Sequence, residues 1–443
     1  MKKDIQEKWL LKNIVNVLAI IIISIVLGYL FIVVTYLIPS DRVNNNLQKS
    51  DLILKQEGWY PQLLNKSYLQ LDNLTDTIIL SEIAEISLPC DDNIWKDSLM
   101  SNYLYSEQDK YIASVKDVNY DNFRYVEYPW YWHGYISIFR PLLWLFDYGT
   151  IRFLLIFFQS IMCGLIIGVL WSKHLKRYIP PMILTFISLS IPLTGFSLQF
   201  SAIVDITLIF LFLLLVFEKK LISSGSLAYF FLIIGILCSY FDFLTFPLAA
   251  YGLPCIVVLV LFYENGYSSK AVFNNFLKIT IFWVLGYSLM WAGKWVLCSI
   301  ITGEDIFSLA YRGIVIRSGH VSNDLLSGFT QTVLNTSFFM YSTKLLLFVS
   351  VLVLIFYFIN FCYCYYRHPI KKIVQSFNVS QIYMLLVSFS PILWFLIFQN
   401  HSFIHSWMTY RILSILIFGF SILFVQFTCK ENFIFKREKS IKS

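Results

Sequence analysis

Ten apolar stretches, each roughly 20 residues long, constrain the fold of this 443-residue chain more than any other feature. A helix of that length crosses the hydrocarbon core of a bilayer, which is roughly 30 Å thick. The mean hydropathy of +0.67 and the charged fraction of 14% exclude a soluble globular domain. Transmembrane β-barrels alternate polar and apolar residues in short strands, and these stretches do not. The sequence therefore predicts an all-α, polytopic transmembrane helical protein.

The predicted spans divide the chain into a helical bundle and a few connecting segments. They cover residues 14–38, 151–171, 179–197, 201–217, 224–243, 247–263, 276–300, 344–366, 381–398 and 408–428. The first is too long for the apolar region of a cleaved signal, and no small-residue cleavage site precedes Pro39, so we expect a retained helix. The other predicted segments are an N-terminus at 1–13, a large loop domain with interfacial helices at 39–149, a bundle at 151–428 with a second loop at 301–343, and a basic tail at 429–443.

Basic residues recur in every second connection of the predicted bundle. Lysine and arginine precede the first span and follow the second, fourth, sixth, eighth and tenth spans. Because cytoplasmic loops carry the excess of Lys and Arg, both termini are predicted to be cytoplasmic and the segments 39–149 and 301–343 extracytoplasmic. The net charge of +7 is then mostly a topology signal and requires no nucleic-acid partner. The predicted localisation is a multi-pass protein of the cell membrane.

Aromatic and cysteine residues give little direct evidence of chemistry. The end of the large loop, 123–149, is dense in Tyr and Trp, as is typical of a membrane interface. Seven of the eight cysteines lie in or near apolar spans, where cysteine acts as a small hydrophobe, and Cys90 alone lies in the large loop. Neither a disulfide framework nor a metal-ligand spacing such as CxxC is visible, so the sequence predicts no metal site.

Three charged residues lie within the predicted spans. Asp205 is near the start of the fourth span, Asp242 near the end of the fifth, and Lys294 in the outer half of the seventh. A charge at such depth costs about 2.5–3.5 kcal/mol on insertion scales, so each is expected to face a cavity or a partner. Any one of them could instead snorkel to the interface. Because all three approach the predicted outer side, we expect a shared site there.

The connection between the ninth and tenth spans carries a second polar group. His401 and His405 are spaced to share one helix face, and Arg411 is expected about one turn further on. Two histidines with no third ligand nearby make zinc a weak alternative. Imidazole and guanidinium donors suit an anion better, because Arg binds phosphate oxygens bidentately. At this depth in the membrane, the natural anion is a lipid-linked phosphate.

The large loop supplies carboxylates. Asp72 and Asp76 lie four residues apart where an apolar helix begins, and helix N-capping is the ordinary alternative for such residues. Asp91 and Asp92 form a second pair in a loop-like stretch. Transfer of a group to a hydroxyl with inversion requires one carboxylate as general base. Either pair could supply it.

Four segments of the chain resemble a largely uncharacterised family of multi-spanning membrane proteins from Gram-positive bacteria. They are LDNLTD at 71–76, YWHGY at 131–135 continuing to RPLL at 140–143, FDFLT at 241–245, and NHSFIH through TYR at 400–411. The likeness runs from the first span to the last. The arrangement of a first helix followed by a large, acidic outer loop is also similar to GT-C-type glycosyltransferases, which take sugars from polyprenyl-phosphate donors.

The resemblance implies roles for individual residues. The GT-C base lies in the first outer loop, although usually closer to the first helix, which implies Asp76 as the base with Asp72 as the second candidate. Donor phosphate would be bound by Lys294, Arg411, His401 and His405. The acceptor path or site lining would include His133, Arg140, Asp205 and Asp242, although an interfacial Arg beside a proline is usually a membrane anchor. Some GT-C enzymes use a divalent ion, which leaves a metal cofactor open.

The predicted function is therefore a membrane glycosyltransferase. It would move a sugar from a polyprenyl-phosphate donor in the membrane lipid to a cell-envelope glycan or other acceptor on the outer face. The main alternative is a transporter or flippase of lipid-linked sugars or envelope precursors, which would use the same charges as a pathway. Transporters usually show pseudo-symmetric halves and broken helices, whereas this chain has one dominant early loop. A polysaccharide polymerase or ligase and a non-catalytic scaffold are further alternatives.

Overall fold

The computed structural model describes most of the chain as a helical bundle with one small sheet. It describes residues 2–86, 93–106, 110–111, 124–322, 324–341 and 378–426, together with positions 348, 351, 352, 355, 359 and 362. In chain order the helices are α1 (Lys2–Thr35), α2 (Ser40–Glu57), α3 (Asn73–Glu85), α4 (Ile94–Met100), α5 (Ile136–Leu145), α6 (Tyr148–Ser172), α7 (Ile179–Ser188), α8 (Leu198–Ser223), α9 (Leu227–Phe241), α10 (Leu248–Glu264), α11 (Ser269–Thr302), α12 (Ile306–Ser318), α13 (Leu325–Tyr341), α14 (Val379–Ser388), α15 (Ser390–Ile397), α16 (Gln399–Ile404) and α17 (Ser406–Thr409).

The described residues contain seven helical segments that are long and apolar enough to cross a membrane. These segments are Asn13–Thr35, Tyr148–Ser172, Lys176–Phe196, Leu198–Ser223, Ser269–Thr302, Val379–Ile397 and Ser406–Gln426. The predictions at 224–243 and 247–263 correspond to α9 and α10, which are apolar but shorter, at 15 and 17 residues. The predicted span at 344–366 lies almost wholly outside the described residues. A polytopic helical membrane protein is thus confirmed.

The bundle is held together by close approaches at small residues. A Cβ at Gly235 of α9 would lie 2.3 Å from the carbonyl oxygen of Trp283, and one at Gly286 of α11 would lie 2.2 Å from that of Leu232. Small residues let helix backbones approach closely in a membrane, where packing replaces the hydrophobic effect as the main attraction between helices. A side chain at either glycine would therefore push α9 and α11 apart.

The segment between α1 and α6 folds into a compact unit, which we call the loop domain. It contains α2 to α5 and a three-stranded antiparallel sheet of β1 (Tyr103–Ser106), β2 (Lys110–Tyr111) and β3 (Arg124–Val126), in the order β2-β1-β3. The sheet is small, and the chain is otherwise helical or irregular in the described residues. We call the end of the bundle that carries this domain the loop end.

Arg140 of α5 fastens the loop domain to α1. Its guanidinium group donates hydrogen bonds to the carbonyl oxygens of Thr35 and Ile83 at 2.9 Å and of Ile38 at 3.1 Å. The last carbonyls of a helix have no partner within that helix, so a buried cation beside them satisfies groups that would otherwise be unpaired. Arg140 therefore joins the end of α1 to α3.

Candidate functional site

A cavity of about 250 Å³ with several polar side chains in its wall lies at the loop end, where segments distant in sequence meet. Its wall is formed by the start of α3, the aromatic stretch before α5, the start of α8, the turn after α9, the end of α12, and α16 with the residues that follow it. The lining residues are Asp72, Thr75, Ile78, Tyr128, Gln199, Phe243, Ile316, Arg317, Asn400, His401, Ile404, His405 and Met408. Three of the four segments singled out in the sequence contribute to this wall.

Asp72 is the acidic residue in this wall. It is 3% exposed and is the N-cap of α3, with its carboxylate accepting hydrogen bonds from the Thr75 backbone N–H at 3.1 Å and the Thr75 hydroxyl at 3.0 Å. Burial raises the pKa of Asp72 to about 6, against the lowering effect of the Thr75 hydrogen bonds. Asp72 is therefore both the N-cap of α3 and a carboxylate whose pKa lies close to neutral pH.

Arg317 supplies the positive charge, and the sequence analysis did not identify it. It lies in the last turn of α12, where Nη1 donates to the Gly313 carbonyl at 3.1 Å and the guanidinium group lies 5.5 Å from the ring centre of Tyr131. A usable signal was present: the predicted outer segment 301–343 contains only two basic residues, Arg312 and Arg317. A cation on the side of the membrane that is usually poor in them is a candidate for function.

The two histidines lie side by side in the wall, as their spacing predicted. Their ring centres are 4.9 Å apart, and Nε2 of His401 donates to the Leu244 carbonyl at 2.8 Å. Burial lowers the pKa of His401 to about 3 and that of His405 to about 4, with nearby positive charge adding to both effects. Nδ1 of His405 is buried without a hydrogen-bond partner among the described residues. A neutral imidazole with one unused ring nitrogen can accept or donate a hydrogen bond to a ligand.

Asp76, the first candidate for the base, does not line the cavity. Its Oδ1 accepts from the Ser197 hydroxyl and the Gln199 N–H, both at 3.1 Å, and its Oδ2 accepts from the Tyr148 hydroxyl at 2.6 Å and the Leu198 N–H at 2.9 Å. The first N–H groups of a helix have no partner within that helix, and a carboxylate satisfies them well. Asp76 thus joins α3 to the start of α8 and holds Gln199 at the cavity wall.

A buried arginine completes the support behind Asp76. Arg152 of α6 contacts both carboxylate oxygens of Glu57 at 2.8 Å through Nη1 and the side-chain oxygen of Asn73 at 2.8 Å through Nη2. The same Nη2 donates to the hydroxyl of Tyr148, which in turn donates to Asp76. This polar network ties α2, α3, α6 and α8 into one support.

The two cations predicted to bind phosphate lie elsewhere. Nζ of Lys294 donates to the Leu99 carbonyl at 2.7 Å and lies 5.6 Å from the ring centre of Trp132. Arg411 donates to the carbonyls of Leu189 at 3.3 Å and Trp407 at 3.0 Å and packs against aromatic rings. In these positions, both side chains hold backbone segments of the loop end together rather than lining the cavity.

The two membrane-level carboxylates are likewise outside the cavity wall. Oδ1 of Asp205 accepts from Nε2 of Gln159 at 2.9 Å within the bundle. Asp242 accepts from the Thr245 N–H at 2.9 Å and from the Thr245 hydroxyl, closing the turn that follows α9. That turn presents Phe243 to the cavity, so Asp242 shapes the wall without reaching it. The expectation that Asp205, Asp242 and Lys294 share one cavity is therefore not met here.

His133 supports the wall from behind. Its Nδ1 lies 2.6 Å from the Tyr135 hydroxyl and 3.1 Å from the Glu82 carboxylate, and its Nε2 lies 2.7 Å from the Tyr128 carbonyl. Tyr128 lines the cavity, whereas His133 does not. Cys90, Asp91 and Asp92 lie outside the described residues.

Within the described part of the chain, no group of three or more His, Cys, Asp or Glu side chains is arranged to hold a metal ion. The cavity presents a carboxylate, a guanidinium group, two neutral imidazoles and two carboxamides. Such a set can accept a proton, bind an anion and orient a hydroxyl-rich ligand. No protein-family model matches the chain, and neither a curated protein nor a solved structure matches it.

Proposed function

We propose that this protein is a membrane glycosyltransferase that moves a sugar from a polyprenyl-phosphate donor to an acceptor hydroxyl, in the manner of GT-C enzymes. The observation that carries the proposal is the presence of Asp72 and Arg317 in the wall of one cavity at the loop end of a membrane bundle. The cavity volume of about 250 Å³ is smaller than a typical site for a whole drug-sized ligand. It therefore suits a sugar and its phosphate, while the polyprenyl chain stays in the lipid.

Asp72 is assigned the role of general base. An acceptor hydroxyl loses its proton to the Asp72 carboxylate while the hydroxyl oxygen forms a bond to the anomeric carbon. The bond between that carbon and the phosphate oxygen breaks, and the polyprenyl phosphate leaves with the electron pair. A base is most effective when its pKa is close to the working pH, and the pKa of about 6 for Asp72 meets that requirement.

Arg317 is assigned to the leaving phosphate. Negative charge grows on the phosphate oxygen as the bond to the sugar breaks, and a guanidinium group can stabilise it with two parallel hydrogen bonds. Arg317 is held by the backbone of its own helix and by the ring of Tyr131, so its position is set before a donor binds. This assignment replaces the two cations, Lys294 and Arg411, that the resemblance implies.

The neutral histidines are assigned to hydroxyl recognition. With a pKa of about 4, His405 is uncharged at neutral pH, and its free Nδ1 can pair with a sugar or acceptor hydroxyl. A neutral imidazole suits this role because it does not compete with Arg317 for the phosphate. The two imidazoles and the carboxamides of Gln199 and Asn400 together match a ligand rich in hydroxyl groups.

The test is transfer of radiolabelled sugar from a panel of polyprenyl-phosphate donors by the full chain in membrane vesicles. Asp72→Asn and Arg317→Ala are expected to abolish transfer that the wild type performs. Asn is as good an N-cap as Asp, so Asp72→Asn removes the base while it preserves the start of α3. Asp205→Asn is the matched control, because it removes a carboxylate of the same bundle that lies outside the cavity.

Two outcomes would contradict the proposal. Transfer that survives both cavity substitutions would show that the chemistry lies elsewhere in the chain. Absence of transfer from every donor, together with donor movement across the vesicle membrane that depends on the protein, would establish the transporter alternative instead.

A further inference from the structure

Helix α12 carries an apolar face that is largely exposed in the described part of the chain, with Phe307 at its start in edge contact with the ring of Trp295. Phe307, Tyr311, Ile314 and Val315 follow the i, i+4, i+7, i+8 pattern of a single helix face. Their exposed fractions are 47%, 68%, 37% and 49%. A stripe of four large apolar side chains over about two and a half turns is unfavourable in water and indicates a surface that contacts an apolar environment.

A neighbouring face of α12, about 100° around the helix axis from the stripe, packs on the protein. Ile306, Ala310 and Gly313 are buried there, and Arg317 follows on the same side and reaches the cavity. Since α12 already packs on the protein through these residues, the exposed stripe is not the face that would join the core. It is a second apolar face that points away from the bundle.

The position of α12 along the chain places it at the membrane surface. It begins at Ile306, four residues after α11 ends at Thr302, so the start of α12 lies within about 13 Å of that end. A helix of the length of α11, 34 residues, extends about 51 Å, which is enough to cross the hydrocarbon core and both headgroup layers. The end of α11 and the start of α12 therefore lie at or just beyond the level of the lipid headgroups.

Charge on α12 complements such a surface. Arg312 is exposed and lies beside the apolar stripe, separated from Tyr311 by one helical step. Helices that lie in the membrane interface combine an apolar face with basic residues at its border, which contact anionic headgroups. Two acidic residues lie nearby: Glu304 is exposed, and Asp305 is the N-cap of α12, where its carboxylate accepts from the Ser308 N–H.

We infer that α12 is an interfacial helix, with its apolar stripe among the lipid chains near the headgroups and Arg312 in contact with anionic lipid. Two side chains of the cavity wall, Ile316 and Ile404, are 64% and 51% exposed. The cavity thus opens at the lipid surface, and a lipid-borne ligand can reach it without leaving the membrane.

The test is photo-crosslinking of the full chain in vesicles of phosphatidylcholine and phosphatidylglycerol. Benzoylphenylalanine replaces Tyr311 in the stripe or, as the matched control, Glu304, which is exposed two residues before α12 begins. Lipid adducts identified by mass spectrometry are expected at position 311 at several times their yield at position 304. Attachment of position 311 to another part of the chain would overturn the inference, as would equal lipid yields at the two positions.

The same adducts test the contribution of Arg312. A basic residue near an anionic surface contributes about 1 kcal/mol, so phosphatidylglycerol should be enriched about fivefold over its bulk fraction among adducts at position 311. Arg312→Gln is expected to remove that enrichment while adducts persist. If the wild-type adducts at position 311 contain phosphatidylglycerol only at its bulk fraction, the contact between Arg312 and anionic lipid is refuted. None of these results depends on catalysis, so they are independent of the transferase assay.

Discussion

Replacement of Asp72 by Asn should separate the chemistry of this residue from its structural role. The carboxylate oxygens of Asp72 accept two hydrogen bonds from Thr75, and an Asn side chain can still accept the capping bond from the Thr75 N–H. The free energy of unfolding should therefore change by less than about 1 kcal/mol. A general base contributes about 10²- to 10⁴-fold to the rate, so kcat for sugar transfer should fall at least about a hundredfold.

The wild-type pH profile tests the same carboxylate without a substitution. The pKa of Asp72 is raised to about 6, chiefly by burial, and only the ionised form can accept a proton from the acceptor. The transfer rate should therefore be level above about pH 7 and fall about tenfold for each pH unit well below 6. An Asp at its ordinary pKa of about 3.9 would leave the rate level down to about pH 5.

The assay is the initial rate of labelled-sugar transfer between pH 4.5 and 8, with thermal unfolding followed at each pH. The unfolding data separate protonation of Asp72 from loss of the fold. If the protein is still folded at pH 5, its lower rate is due to protonation of Asp72. A level profile down to pH 5, or Asp72→Asn with more than a tenth of wild-type kcat, would refute the assignment of Asp72 as the base.

Three further predictions concern phosphate binding by Arg317, the structural role of Asp76 and the raised pKa of Glu85. Arg317→Ala should weaken binding of a polyprenyl phosphate by about ten- to a hundredfold in Kd, since a hydrogen bond to a charged group contributes about 1.5–3 kcal/mol; unchanged Kd by calorimetry would contradict this. Asp76→Asn should destabilise the fold by about 3 kcal/mol, because one amide oxygen cannot replace the four hydrogen bonds and the charge that the carboxylate supplies, and chemical unfolding would measure the loss. Burial, together with the nearby carboxylates of Asp97 and Glu82, raises the pKa of Glu85 from 4.5 to about 7, so its ionisation destabilises the folded state increasingly as pH rises from about 4.5 to 7, and the cost is lost as pH falls through the same range. Glu85→Gln should therefore raise Tm at pH 8 and leave it nearly unchanged at pH 5, whereas an equal shift at both pH values would refute the cause given.

The bundle was largely predictable because hydropathy reports membrane crossing directly. The apolar stretches at 14–38 and 151–171 agree with the helical segments Asn13–Thr35 and Tyr148–Ser172 to within a few residues. Helix ends were less predictable, as for α11, which begins seven residues before the predicted span at 276–300. Helix α12 was missed, because it is too short to stand out in a hydropathy window and its stripe is recognisable only as a helical pattern.

The site was only partly predictable because it depends on which segments meet in space. The histidines and Asp72 were identified from residue type and spacing, and they do line one cavity. Lys294 was chosen because a charge in a span is costly, and Arg411 because a guanidinium group binds phosphate, but backbone carbonyls and aromatic rings satisfy both. Arg317 was missed because a single arginine at the end of a short helix has no distinctive pattern.

The central claim is that a bond of the donor is broken, and the chemical identity of the donor after incubation tests it most directly. Purified full-length protein in lipid vesicles would be incubated with a polyprenyl-phosphate sugar and acceptor, and the lipid products separated by mass spectrometry. We predict accumulation of sugar-free polyprenyl phosphate in step with glycosylated acceptor, with neither product formed by Asp72→Asn. Intact donor throughout, from every sugar tested and with a folded wild-type protein, would contradict the account.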